Sequence, residues 1–179
     1  MSNKIFIFEG HDQSGKSSIS KELSTRLNIP IFKIERENKW WDPVIDLCYR
    51  TEAIVQFMEQ VETDVILDRW VASEYMYSRL FNRTTNMEKI FELNRRMTEL
   101  GAITVYCHKQ PWAYTIDPKD GDLFDVSKYT EMKALYDNFF LNSPSNLVDI
   151  DTTDADLETQ ITLITSSIHK HEDWDFQTW

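Results

Sequence analysis

The 179-residue chain predicts an α/β fold of three layers, with a five-stranded parallel sheet covered by helices on both faces. Two observations predict it. Five short apolar runs rich in β-branched and aromatic residues alternate with stretches of helical spacing. A glycine-bearing turn also joins the first run to the first helix. The length fits one domain over 1–179, at roughly 150 residues per domain. Hydrophobic residues make up 41% and charged residues 27%, the balance of a chain that folds rather than stays disordered.

The elements follow in order. Ile5–Phe8 is short, β-branched and aromatic, so it reads as a buried strand. Ile19, Leu23 and Leu27 recur every four residues along one helix face, which Asn28 and Pro30 end. Ile31–Ile34 is the second strand. Val44, Leu47, Val55 and Met58 give helical spacing to Pro43–Val61, and Val65–Leu67 form a third strand ending at Asp68. Helices are expected over 70–81 and 86–100, the second closed by Gly101, and Ala102–Cys107 is the fourth strand. Residues 109–125 hold two prolines, one glycine and four aspartates with little periodicity, which reads as a surface lid loop. A helix over 126–140, a strand at Leu147–Ile150 and a final helix striped by Leu157, Ile161, Ile164 and Ile168 complete the domain before a tail at 171–179.

Charge and cysteines exclude several functions. A net charge of −11 disfavours nonspecific capture of nucleic acid or of an anionic membrane. Cys48 and Cys107 have neither CxxC spacing nor partnering histidines, so they read as reduced thiols of a cytoplasmic protein. His169 and His171 lack companions at zinc spacing. No apolar run reaches the length of a membrane span.

Residues 10–17 read GHDQSGKS, which satisfies GxxxxGK[ST] between a strand and a helix, the context this motif requires. The chain has only four glycines where about a dozen would be average, and Gly10 and Gly15 are two of them. Their conformational freedom lets backbone N–H groups turn inward, and the helix that follows adds its positive end. Lys16 is expected at the β and γ phosphates and the Ser17 hydroxyl at Mg²⁺. The expected ATP-binding set is Gly10, His11, Asp12, Gln13, Ser14, Gly15, Lys16, Ser17 and Ser18, with His11 at a variable position. The guanine-reading NKxD sequence of switch GTPases is missing, because Asn38-Lys39-Trp40-Trp41-Asp42 has the wrong spacing and sits too early. A small-molecule kinase is the expectation, with its acceptor across the carboxyl ends of the strands.

These residues resemble the thymidylate kinase and deoxynucleoside kinase superfamily of P-loop kinases. FIFEGHDQSGKSS, residues 6–18, looks like the thymidylate kinase opening EGxDxxGK[ST]. DRWVASEYMY, residues 68–77, resembles that family's DRYxxSxxAY, with Asp68, Arg69, Ser73 and Tyr77 in register. IDTTDADLE, residues 150–158, is similar to the turn that closes over adenine. The resemblance implies that Asp12 meets the acceptor's deoxyribose, Arg69 holds its phosphate, and Asp68 orients Mg²⁺ through water. Arg50 corresponds to a helix arginine approaching the acceptor, Ser73 falls within the acceptor segment, and Tyr77 lines the acceptor's sugar or base.

A second resemblance competes. ERENKWWD, residues 35–42, looks like the deoxynucleoside kinase segment ExxxKW, in which Glu35 would be the base for a sugar 5′-hydroxyl and Trp40 would border the nucleobase. Arg36 stands where that pattern has proline, and would equally suit a phosphate. Thymidylate kinases also carry a catalytic arginine in the phosphate loop, where this chain has Gln13, or in the lid. Residues 109–125 contain no arginine, and Lys119 is the expected substitute, with Arg79 and Arg83 as alternatives.

The expected activity is ATP-dependent, Mg²⁺-requiring transfer to a deoxynucleoside monophosphate, a pyrimidine such as dTMP. The alternatives are phosphorylation of a nucleoside 5′-hydroxyl, phosphorylation of a modified base in DNA, and noncatalytic nucleotide binding. The expected partner is a small-molecule nucleotide acceptor, without membrane and with nucleic acid disfavoured; a homodimer is an open option.

Overall fold

The computed structural model describes residues 3–33, 43–114 and 126–172. Among them, β1 is Ile5–Glu9, β2 Ile31–Lys33, β3 Val65–Asp68, β4 Ile103–His108 and β5 Asn146–Asp151. The helices are α1 Lys16–Leu27, α2 Pro43–Gln60, α3 Val71–Leu80, α4 Met87–Glu99, α5 Val126–Asn142 and α6 Leu157–Glu172. The five strands form one sheet in the order β2-β3-β1-β4-β5, every neighbouring pair parallel. The expected three-layer α/β fold is therefore present.

Several boundaries differ from the sequence reading by one or two residues: β1 runs on to Glu9, β4 is shifted by one residue to Ile103–His108, and α5 runs on to Asn142. β5 is longer by one residue at each end, because its pairing with β4 runs from Ile103 opposite Asn146 to His108 opposite Asp151. The loop expected from residue 109 starts with a 3₁₀ turn, Pro111–Ala113, whose first residue has the fixed φ suited to starting a helical turn.

Successive side chains of a strand point to opposite faces, so β1 serves two cores at once. Phe6 and Phe8 join Ile19, Leu23, Ile161 and Ile164 under α1 and α6. Ile5 and Ile7 face Val55, Met76, Leu93, Met132 and Phe139 from α2 to α5. Full burial of each phenylalanine contributes on the order of 1.5–3 kcal/mol, and both are completely inaccessible. β1 sits between β3 and β4, so the chain leaves all three strands at one carboxyl edge. A parallel sheet opens its ligand crevice at such an edge. No helix among the described residues is long and apolar enough to cross a membrane.

Candidate active site

The turn between β1 and α1 is built by close approach. Gly10 has φ 131°, and a Cβ there would lie 2.1 Å from the Cys107 carbonyl of β4, so only glycine fits. Gly15, at φ 84°, precedes the first residue of α1. The N–H groups of Ser18 and Ile19 bond back to the Gly15 carbonyl at 3.1 and 3.2 Å, whereas those of Gly15, Lys16 and Ser17 have no partner among the described residues. Such orphan donors at a helix start make an anion cradle. Thr152, just past β5, clamps the turn from behind. Its hydroxyl donates to the Ser14 and His108 carbonyls, at 2.9 and 3.1 Å.

Lys16 lies inside this turn, with Nζ donating to the His11 carbonyl at 2.7 Å. Burial, with the nearby Arg69 charge adding to it, pushes its ammonium down to about 8. A ligand phosphate would restore the charge that burial disfavours.

Arg69 crosses to the same turn from the end of β3. Its backbone is left-handed, φ 73°, a strained conformation for a non-glycine residue. It is held there by its N–H on the Phe8 carbonyl at 2.9 Å, by its guanidinium on the Asp12 carboxylate, and by contacts to the Gly10 carbonyl and Tyr77 hydroxyl at 3.3 and 3.4 Å. Asp12, Gln13, Ser14, Gly15, Lys16, Ser17, Ser18, Lys33, Asp68, Arg69 and Lys109 together line a cleft of about 450 Å³. Tyr77 reaches it through Arg69.

Several expected residues lie elsewhere. His11 is not in the cleft: its ring is buried edge-on against both Tyr114 and Tyr129, with centroids at 4.7 and 5.2 Å. Burial lowers its imidazole to about 3, so the ring is neutral. Ser73, expected at the acceptor, faces inward, where its hydroxyl bonds to Glu9 and approaches the Tyr136 hydroxyl at 3.0 Å. The reason is its place at the start of α3, where orphan N–H groups need a cap. Arg50 is exposed on α2 and is not a cleft wall. Arg79 and Arg83 lie over the Tyr75 and Phe81 rings, at 5.4 and 4.8 Å, rather than in the cleft. Glu35, Arg36, Trp40 and Lys119 lie outside the described residues.

Other residues at or behind the cleft carried no role in the motif reading. Glu9, wholly buried, receives the N–H groups of Trp70 and Ser73 at 2.9 and 3.1 Å and so caps α3 from β1. Burial pushes its carboxyl pKa up despite these bonds. The position of Glu9 beside Gly10 was the available signal. Lys33 and Lys109, at the ends of β2 and β4, join the cleft wall. Their signal was position, since both follow apolar runs that end at the sheet's carboxyl edge.

No protein-family model and no curated protein sequence matches the chain. Solved structures do match. YorR protein from Bacillus subtilis, in complex with phosphorylated GDP, is similar with a TM-score of 0.69 at 21% identity, over 94% of this chain and 98% of that one. Thymidylate kinase from Ehrlichia chaffeensis is similar with a TM-score of 0.59 at 16% identity, over 94% and 100%. Deoxyadenosine kinase from M. mycoides with bound dATP is similar with a TM-score of 0.57 at 20% identity, over 92% and 98%. The chain has the P-loop kinase fold. The resemblance carried by residues 6–18 and 68–77 is thus accompanied by a likeness of fold. In this P-loop kinase fold, the turn at 10–17 and Arg69 meet at the sheet's switch point.

Proposed function

We propose that this chain transfers the γ-phosphoryl group of ATP to a deoxynucleoside monophosphate, with a pyrimidine nucleotide such as dTMP as the acceptor. The observation that carries the reading is the strained Arg69, bound to Asp12 beside Lys16 in one cleft. In a chain of net charge −11, that cleft gathers Lys16, Lys33, Arg69 and Lys109 against Asp12 and Asp68. Transfer between two phosphates needs such a concentration of cations, because donor and acceptor repel each other.

On binding, Lys16 exchanges the His11 carbonyl for phosphate oxygens of ATP, and the unpaired N–H groups at the start of α1 receive the rest of the chain of phosphates. Arg69 exchanges Asp12 for the acceptor phosphate, which frees the Asp12 carboxylate for a sugar hydroxyl. The two ligands are then held for in-line attack, which is chiefly a matter of positioning and charge. Ser17 and Asp68 are oxygen donors on the cleft wall, the type that Mg²⁺ prefers, and would hold this ion, which supplies charge neutralisation between phosphate oxygens.

Coupled ADP release against a panel of nucleosides and nucleoside monophosphates tests the reading. Release that depends on a deoxynucleoside monophosphate supports it. Activity confined to nucleosides transfers the function to a sugar hydroxyl and to Glu35 as base. ATP binding without transfer to any acceptor leaves a nucleotide-binding protein, and activity requiring DNA moves the acceptor to a base within the polymer.

A further inference from the structure

P-loop kinases of the kind this chain resembles place an arginine on the transferring phosphoryl group, and here the loop position holds Gln13. Arg79 and Arg83 are turned to aromatic rings outside the cleft. Lys109 is different. It lines the same cleft as Gln13, Lys16, Ser17 and Arg69. Lys16 is engaged by the His11 carbonyl and Arg69 by Asp12, whereas the Lys109 ammonium has no hydrogen-bond or ion-pair partner among the described residues.

The backbone around Lys109 is anchored at three consecutive residues, two of which reach the phosphate loop through a neighbouring side chain. The Lys109 N–H donates to the Tyr114 hydroxyl at 3.0 Å, and that hydroxyl lies 2.7 Å from His11 Nε2. A hydroxyl that accepts from Lys109 is left to donate to a neutral imidazole, which is the state burial imposes on His11. Tyr114 itself is stacked on Tyr129, with ring centroids 3.7 Å apart and planes at 9°. On one side, the His108 carbonyl receives both the N–H and the hydroxyl of Thr152, at 2.8 and 3.1 Å, and the same hydroxyl grips Ser14. On the other, the Gln110 N–H donates to the Thr153 hydroxyl at 2.8 Å. A lysine on so constrained a backbone has a defined starting point for its flexible stem, which offsets part of the ordering cost lysine otherwise carries.

We propose that Lys109 supplies the cation that steadies the transferring γ-phosphoryl group, and that Tyr114, through His11, is the positioning residue that keeps it at the phosphate loop. This rests on the reading of the cleft as a phosphoryl-transfer site. In the step, an acceptor phosphate oxygen forms a bond to the γ-phosphorus while the bond from that phosphorus to the β–γ bridging oxygen breaks. The electron pair stays with ADP. Lys109 donates hydrogen bonds to the γ-oxygens and transfers no proton.

The test compares the wild-type chain with Lys109→Met, Lys109→Arg and Tyr114→Phe in titrations with ADP and with ADP plus aluminium fluoride, a mimic of the phosphoryl group in flight, each in the presence of Mg²⁺. The mimic is expected to bind the wild type about 10²-fold more tightly than ADP alone. Lys109→Met removes most of that gain while the affinity for ADP changes less than about threefold, and Lys109→Arg keeps it. Tyr114→Phe loses about tenfold of the gain with ADP affinity unchanged. Full tightening in Lys109→Met overturns the proposal, as does a wild type that binds ADP but gains nothing from fluoride. A Tyr114→Phe chain with lowered melting temperature and an intact fluoride gain overturns the positioning role. A wild type that does not bind ADP overturns the nucleotide reading itself, a failure distinct from the others.

Discussion

The two faces of the sheet are built from different chemistry. Under α1 and α6 the buried cluster is entirely aliphatic, phenylalanine and one cysteine: Phe6, Phe8, Ile19, Leu23, Ile103, Val105, Cys107, Ile150 and Ile164 among them. Burial pushes that cysteine, Cys107, up to about 12, so it is an inert thiol rather than a reactive one. Cys48 lies outside the described side chains. On the other face, Tyr106, Tyr129 and Tyr136 are as deeply buried as the aliphatics around them. Buried polar groups accompany them, including Glu9, His11, Ser73 and Asn94. The first face needs only volume and supports α1 behind the phosphate loop. The second ties buried polar groups such as Glu9, Ser73 and Asn94 to partners of defined geometry, and it carries Arg69 and the Tyr114 strut. Under the proposed function, ATP is gripped by the loop over the simply packed half, and the acceptor by Arg69 on the polar half.

The largest expected effect tests the donor half. Lys16→Ala lowers phosphoryl transfer by about 10³-fold or more, read by coupled ADP release, while the melting temperature holds or rises, since a buried ammonium is removed. Transfer at the wild-type rate would break the assignment of this half to ATP.

Arg69→Met sharpens the division. It is expected to lower kcat/KM for the acceptor by about 10²-fold and to leave ADP affinity within about threefold of the wild type. An equal loss in both would mean that the two halves do not act separately.

Stability distinguishes the halves next. Glu9→Ala strands the Trp70 and Ser73 N–H groups and leaves the Ser73 hydroxyl only Tyr136, at an expected cost of about 3 kcal/mol in urea unfolding. Glu9→Gln, which keeps one acceptor oxygen, should cost less. Equal stability of wild type and Glu9→Ala would remove the polar cap from the account.

The smallest effect is a pH dependence. Lys16 titrates near 8 in the folded chain against an ordinary value of 10.5. Phosphate binding requires the charged ammonium, so ADP affinity should fall by about tenfold between about pH 7 and pH 9. The sign for the unliganded fold is opposite. The unfolded chain holds this proton more tightly, so the Lys16 contribution makes stability rise with pH from about 8 to 10.5. Calorimetric titration of ADP across this range checks the first effect, and urea unfolding the second.

The same division explains what could be read from residue order. The aliphatic half was legible because its signals are contiguous or periodic: the apolar run Ile5–Phe8, GHDQSGKS, and an apolar residue every fourth position of α1. Asp68 and Arg69 were legible because a strand's end places them beside the loop. Ser73 was misread because its motif gives spacing but not which way the hydroxyl turns, and the orphan N–H groups of α3 drew it to Glu9. His11 was assigned to the ATP set because it lies within the loop, while its ring turns away to Tyr114. Thr152 and Lys109 gave weak signals, since each acts across a tertiary contact: Thr152 grips Ser14 from 138 positions away.

Local order thus dictated the sheet, the glycine-flanked turn and the candidate arginine at the end of β3, because strand alternation, helix periodicity and glycine dihedrals act over a few residues. Folding alone chose which buried polar groups meet, and therefore that Glu9 caps α3, that Tyr114 ties Lys109 to the phosphate loop, and that Ser73 serves the interior. The physical reason is that a hydrogen bond between distant segments depends on distances and angles set by the packing of the whole sheet, which no short stretch of sequence encodes.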